Sequence, residues 1–439
     1  MIDFFTNPII ISVLILCGLC IARVNVLLSM LIAAIAGGLL GNLSIKDVMD
    51  SLVGGMGGNS ETALSYILLG SFAVAVNKTG LASVVSKRIA LKLTDHKFLL
   101  IWIFVFMAML SQNLIPVHIA FIPILVPPLL GLMNRLKIDR RAVACGLAFG
   151  LKAPYIAIPA GFGLIFQGLI ADNMTASGVK VETNEIWMST WVLGLGMFAA
   201  LLVAVYITYG KQREYQNNSQ DVIKTDFTPE ELRFTKSHYM TMAAAVITLA
   251  VQLISGSLPL GALCGLGIIF TLGAIKYSKM DSLILSGVYL MGYIAFVMLV
   301  AAGFSAVLKA TGSVDELVRS IVPFMGGSKV AATFLMMVVG LFITMGIGTS
   351  FGTIPILTFL YIPICTSMSF SVPSMVIVIA AAAALGDAGS PASDTTLGPT
   401  SGLNADGQHD HIRDTCIPTF IHYNTALFIT AVLAVAVLG

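Results

Sequence analysis

The sequence predicts an all-α polytopic membrane protein, built from two inverted-topology repeats with broken helices or re-entrant hairpins. Three observations carry that prediction. Of 439 residues 57% are hydrophobic and 10% charged, against roughly a quarter charged in an ordinary soluble domain. The charges crowd into short stretches between long apolar runs, and a helix needs about 20 apolar residues to cross a hydrocarbon core of about 30 Å. The two halves of the chain also resemble each other at a nearly constant offset. Together these exclude a soluble enzyme, a disordered chain and a secreted disulfide scaffold. A net charge of +2 gives no reason to expect a nucleic-acid partner.

Taken in order, the first apolar segments fall near 7–23, 25–41 and 60–77. The opening MIDFFTNP lacks a basic n-region, so the first run is expected to be retained as a span rather than cleaved. Cys17 and Cys20 form a CxxC inside it. In a spanning helix they read as small buried residues rather than as a redox or metal pair. Segments follow near 97–133, 140–171 and 188–209, then a polar stretch with charges of both signs, including KQREYQNNSQ. We therefore expect a first transmembrane repeat at 1–209, a cytoplasmic linker at 210–238 and a second repeat at 239–439. The second half runs through 239–255, 258–277, 283–308, 330–366, 374–403 and 415–438. If 97–133 and 330–366 each count twice, or form hairpins, the chain makes about 10 to 14 crossings.

A shift of 232 residues lays Phe72 on Phe304, Thr79-Gly80 on Thr311-Gly312 and Ile122-Pro123-Ile124-Leu125 on Ile354-Pro355-Ile356-Leu357. Charge then suggests the sense of the repeat, because cytoplasmic loops carry excess Lys and Arg. Residues 78–97 hold five basic residues against Asp95, and 134–141 hold four against Asp139. Their counterparts, 310–329 and 366–373, are balanced or uncharged. The stretch 172–187 is mostly acidic. Equivalent loops on opposite sides mean inversion, a feature of many secondary transporters.

Transporter sites lie near the midplane, where discontinuous helices expose backbone groups. Four stretches are too rich in Gly, Pro and small polar residues for continuous helix: 111–118, Lys152-Ala153-Pro154-Tyr155, 344–353 and 386–402. The fourth supplies Asp387, Ser390, Ser393, Asp394, Thr395 and Thr396 within ten residues. Carboxylate, hydroxyl and freed carbonyl oxygens suit a hard cation such as Na⁺, and a carboxylate at membrane depth also binds a proton. These six form the expected cation and proton site, with Na⁺ at Asp387 and Asp394. Lys152, alone deep in an apolar run, together with Asn113, His118, Thr349, Ser350 and Glu61, is the candidate set for substrate or coupling. Glu61 opens a span, where a helix N-terminus accommodates an acid in any case. His409 and His411 are expected to be solvated in a polar loop.

The string GDAGSPASDTT followed by DHIR resembles the signature of the NhaC-type sodium/proton antiporter family. The matching residues are Gly386, Asp387, Ser390, Pro391, Ser393, Asp394, Thr395, Thr396, Asp410, His411, Ile412 and Arg413. Pro418 follows Ile417 where that family has Thr-Pro. The resemblance implies inverted repeats, broken helices and sodium- or proton-coupled transport, and its relatives include carboxylate exchangers and amino-acid permeases. The expected function is therefore an ion-coupled secondary transporter, first a Na⁺/H⁺ antiporter using buried aspartates. The alternative is a Na⁺- or H⁺-coupled amino-acid or carboxylate permease. No nucleotide motif, nucleophile triad or metal-ligand cluster suggests an enzyme or a resident cofactor. The expected partners are small ions or a small organic solute and the lipid bilayer, with a homodimer left open. The expected location is the cell (inner) membrane, crossed many times.

Overall fold

The computed structural model describes residues 7–438 apart from 23, 82–83, 85–87, 89–96, 114–121, 123–125, 217–229, 231, 256, 322–325, 348 and 392. For 17, 20, 21, 128, 294, 314, 315, 320, 321 and 346 it describes the backbone alone. His118 and the side chains of the CxxC cysteines thus lie outside the described residues.

All regular elements among the described residues are helical. The first half comprises α1 (Pro8–Ile21), α2 (Val26–Leu40), α3 (Ile45–Met56), α4 (Ser60–Lys78) and α5 (Lys97–Asn113). It continues with α6 (Leu130–Arg135), α7 (Arg140–Ala157), α8 (Phe162–Ala176) and α9 (Thr183–Thr208). The second half comprises α10 (Lys236–Ser255), α11 (Leu258–Thr271), α12 (Met280–Ala310), α13 (Val314–Ile321) and α14 (Lys329–Ile347). It ends with α15 (Ser350–Ser367), α16 (Val372–Ala384), α17 (Asp394–Leu403) and α18 (His411–Leu438). Local chemistry sets several starts. Asn25 accepts from Leu27 N and Leu28 N at the head of α2, Ser44 and Asp47 form a capping box on α3, and Asp139, Ser371 and Ser393 cap α7, α16 and α17. Each cap satisfies amide groups that a helix start otherwise leaves open.

The element order repeats. Helices α2, α5, α7 and α8 start at 26, 97, 140 and 162, and α11, α14, α16 and α17 start at 258, 329, 372 and 394, each 232 residues later. Packing repeats with it: α1 on α2 matches α10 on α11, α5 on α7 matches α14 on α16, and α7 on α9 matches α16 on α18. The pair α3 and α4, parted by a turn at Gly57–Asn59, corresponds to the single 31-residue α12.

Among the described residues, five helices are long and apolar enough to cross a membrane: α9, α10, α15, α18 and the stretch Tyr277–Ala310 that contains α12. The pair α7 and α8, bent by 46° at its break, meets the same length and composition test when the two helices are taken together. Five shorter apolar helices join them. Burial separates these into two groups. Only 28–41% of the spanning window is buried in α9, α10, α12 and α18, against 83% in α15. Along α7 all but two residues are buried, and in α16 every residue from Ser374 to Ala384 is. Helices α7, α15 and α16 therefore form an inner layer shielded from lipid by the rest, which is where polar side chains are tolerated. Small residues permit the close contacts: a Cβ on Gly340 of α14 would lie 2.6 Å from Ala382 Cβ.

Of the four expected breaks, 344–353 contains one, since α14 ends at Ile347 and α15 starts at Ser350, and 386–402 contains one only in its first half, since α17 begins at Asp394. Beyond Asn113 the stretch 111–118 lies outside the described residues. The other moves. Helix α7 runs through Lys152-Ala153-Pro154-Tyr155 to Ala157, and the chain breaks at 158–161. Pro154 removes only its own N–H, while its carbonyl accepts from Ile158 N at 2.8 Å and from Asn113 Nδ2 at 3.1 Å.

Candidate ion-coupling site

Asp387 lies in the break between α16 and α17, and its carboxylate is held at two helix starts. Oδ2 accepts from Ser350 Oγ at 2.7 Å, in the first turn of α15, and Oδ1 accepts from Ser393 Oγ, the cap of α17. Helix N-termini favour a negative charge. Lys152 reaches across from α7 and places Nζ 2.6 Å from Oδ2. The lysine side chain is 1% exposed and the aspartate 7%, so the pair is buried. Lys152 Nζ also donates to Ser350 Oγ at 3.1 Å and to Tyr155 OH at 3.1 Å, while Tyr155 OH lies 2.9 Å from Ser350 Oγ.

The broken backbone around Asp387 is locked in place. Asn424 of α18 accepts from Gly386 N at 3.1 Å and donates to Ala388 O at 2.9 Å. Gly386 has φ +76°, and a Cβ there would lie 2.7 Å from Leu341 O of α14. Only glycine adopts that conformation so close to another backbone. Thr395 Oγ1 donates to Asp387 O at 3.3 Å and pairs with Ser393 Oγ at 2.8 Å, and Thr396 Oγ1 donates to Ser390 O at 2.5 Å.

Beside this network is a cavity of about 40 Å³ lined by Tyr66, Gln112, Tyr155, Phe162, Thr349, Phe351, Asp387, Ser393, Asp394 and Thr395. One water occupies about 10–15 Å³ on this measure, so there is room for a small ion with a water or two. Phe351 stacks edge-on with Tyr66, Phe162 and Phe166 at centroid distances of 5.7, 6.4 and 5.7 Å, and tilts against Tyr155 at 5.1 Å. These rings close the apolar side of the cavity. Tyr66 OH is buried and has no hydrogen-bond partner among the described residues.

The structure thus brings together Asp387, Ser393, Asp394, Thr395, Thr349, Ser350 and Lys152. Ser390 and Thr396 brace the break through backbone carbonyls. Asn113 lies at the end of α5, where its backbone packs against Gly161. Glu61 sits exposed in the first turn of α4, away from the cavity lining. Sequence reasoning missed Tyr66, Tyr155 and Asn424 as site residues. Tyr155 was legible as the polar neighbour of a break, three residues after Lys152, whereas Tyr66 and Asn424 carry no local signal.

Arg140, in the basic stretch 134–141, is fully buried. It pairs with Asp406 at 2.5 Å and donates to Asn134 Oδ1 at 2.8 Å and to Leu403 O at 2.9 Å. Burial pushes the Asp406 carboxyl up, but the hydrogen bonds and charge of Arg140 outweigh it and hold the group below its ordinary value. His409, expected in solvent, is 1% exposed. Burial pushes its pKa down to about 4, helped by the positive charge of Arg140 and Arg213. The returning chain packs it against Thr415, at 2.7 Å. His411 bridges Thr400 Oγ1 and Pro391 O at 2.8 and 3.0 Å, which ties the DHIR segment to the break that carries Asp387.

Comparison with known proteins follows the same lines. A profile described as the Na⁺/H⁺ antiporter family matches residues 146–435, and one described as the Na⁺-H⁺ antiporter family matches 7–93. An uncharacterized membrane protein of Haemophilus influenzae is 44% identical, over 97% of this chain and 98% of its own. The Bacillus subtilis "Putative amino acid transporter YuiF" is 45% identical, over 98% of this chain and 100% of its own. Among solved structures, the Alcanivorax borkumensis YdaH transporter matches with a TM-score of 0.61 at 15% identity, covering 90% of this chain and 88% of that one. MtrF of Neisseria gonorrhoeae, from a class of antimetabolite efflux pumps, matches with 0.59 at 16%, covering 90% and 85%. These two show a shared transporter fold.

Proposed function

The chain belongs to the Na⁺/H⁺ antiporter family, and from that premise we propose that it exchanges Na⁺ for H⁺ at the Lys152–Asp387 pair. The observation that carries this reading is the ammonium 2.6 Å from a buried carboxylate, beside a cavity of about 40 Å³. Lys152 occupies the position a transported cation would take. Two cations cannot share one buried carboxylate without strong repulsion, so Na⁺ arriving at Asp387 displaces the ammonium and favours its loss of a proton. When Na⁺ leaves, Asp387 is again an unpaired buried charge, and Lys152 recovers a proton to neutralise it. Asp387, Ser350, Ser393, Thr395 and Asp394 provide oxygen donors of the kind Na⁺ takes. On this reading the cation is cargo rather than a resident cofactor.

Proteoliposomes with a trapped pH dye test the reading. External Na⁺ should raise internal pH with no organic solute present, and Asp387→Asn should abolish the change. Flux evoked only by an organic solute would overturn it.

A second reading, coupled amino-acid transport, has the support of the name given to the Bacillus relative. The cavity of about 40 Å³ at Asp387 suits a small ion, so this reading looks for the solute elsewhere.

A further inference from the structure

A second cavity, of about 230 Å³, opens between the C-terminal ends of α8 and α12 and the turn joining α3 to α4. It lies beyond the aromatic wall of the central site. On α15, Phe351 lines the central cavity while Pro355 and Phe359 line this one, and positions four apart share a helix face. On α8, Phe162 lines the first and Asp172 the second, a displacement of about 15 Å at 1.5 Å per residue.

The wall of this cavity carries one acid and one base that do not pair with each other. The Asp172 carboxylate accepts no hydrogen bond and joins no ion pair among the described residues. Lys309 donates one hydrogen bond, to Ala176 O at 3.2 Å, and is otherwise available. Asn59, 2% exposed, spends its side-chain amide on Met298 O at 3.1 Å and leaves its side-chain carbonyl oxygen without a partner among the described residues. The Glu61 carboxylate is near enough to act electrostatically on Asp172. Asp172 and Lys309 are both exposed and so hydrated. A simple anion entering here meets Asp172, a simple cation meets Lys309, and a neutral solute displaces water from both without replacing its charge-assisted bonds. A molecule with an ammonium and a carboxylate satisfies both, through charge-assisted hydrogen bonds.

We propose that this cavity binds a free α-amino acid, with its ammonium on Asp172 and its carboxylate on Lys309. The volume suits a compact side chain, which the apolar faces of Ala302, Pro355 and Phe359 would receive. The inference rests on the amino-acid reading and is separate from Na⁺/H⁺ exchange at Asp387.

The test is calorimetric titration of the purified full-length chain with each of the twenty free amino acids. The best binder is then compared with its decarboxylated amine and its N-acetyl derivative. The free amino acid should bind at least about tenfold more tightly than either derivative. Asp172→Asn and Lys309→Gln should each weaken it by about tenfold or more, Lys309→Arg should retain it, and Lys276→Gln, on an exposed loop, should match the unmodified chain. If no amino acid binds, this inference and the amino-acid reading both fall. Binding that survives Asp172→Asn and Lys309→Gln, or that the amine shares equally, overturns the site alone.

Discussion

Lys152 and Asp387 are 235 positions apart in the sequence and 2.6 Å apart in the fold. Each alone would be an uncompensated charge in a low-dielectric interior. Removing one partner of a buried pair costs about 3–5 kcal/mol, whereas replacing both by apolar residues of similar volume is often neutral. Lys152→Met should therefore lower the midpoint of thermal unfolding in detergent by several degrees. The double variant Lys152→Met, Asp387→Leu should recover most of that loss while remaining without transport. Equal loss in both variants would mean that the pair does not act as a unit. The same scale shows what a sequence hides about single residues. Arg140 sits among basic neighbours in a loop-like string, yet it is fully buried because Asp406, Asn134 and the Leu403 carbonyl converge on it from the other half of the chain and from its own. His409 is concealed in the same way.

Among elements, the contact of α12 with α3 and α4 depends on glycines. A Cβ on Gly287 would lie 2.1 Å from Ser71 Oγ and 2.4 Å from Ser71 N of α4, and one on Gly303 would lie 2.5 Å from Leu52 O of α3. Close backbone approach through small residues is how membrane helices gain packing energy without a hydrophobic drive between them. Gly287→Val should force α4 away from α12 and destabilise the protein by about 1–3 kcal/mol, read as a lower unfolding temperature. Gly267→Val on α11, where nothing lies within 4 Å, is the matched control and should leave the midpoint unchanged. Breaks were legible at this scale where glycine clusters with proline or small polar residues, whereas the single prolines Pro355, Pro363 and Pro399 sit inside helices. Helix α7 likewise runs on through Pro154, whose carbonyl meets Asn113 of α5, and no local pattern in the sequence contains that partner.

For the whole molecule, the offset of 232 residues reappears in four pairs of helix starts and in three pairs of packed helices. From the charge asymmetry of the loops, the rule that cytoplasmic loops carry excess Lys and Arg predicts opposite senses for the two halves. Cysteine labelling in intact cells tests that assignment in a variant freed of native cysteines. A single cysteine at Ser177 or Ser369 should react with a membrane-impermeant maleimide from outside, and one at Arg135 should react only after permeabilisation. Reaction of Arg135→Cys and Ser369→Cys from the same side would contradict inversion, since the loops that hold them are related by the repeat.

The sequence by itself determined what depends on composition and spacing. These are the helical membrane class, the 232-residue repeat, the breaks rich in Gly and Pro, and the acidic-hydroxyl string from Asp387 to Thr396, because each is written in contiguous residues or a constant offset. The tertiary structure decided what depends on distant partners meeting. It joined Lys152 to Asp387 through Ser350, set the size of the central cavity with the ring of Phe351, and buried Arg140 and His409. It also opened a second cavity between Asp172 and Lys309. Charges at long sequence separation carry no signal of their pairing until packing removes water from around them. Where that happens, the cost of an unmatched charge fixes which groups must meet.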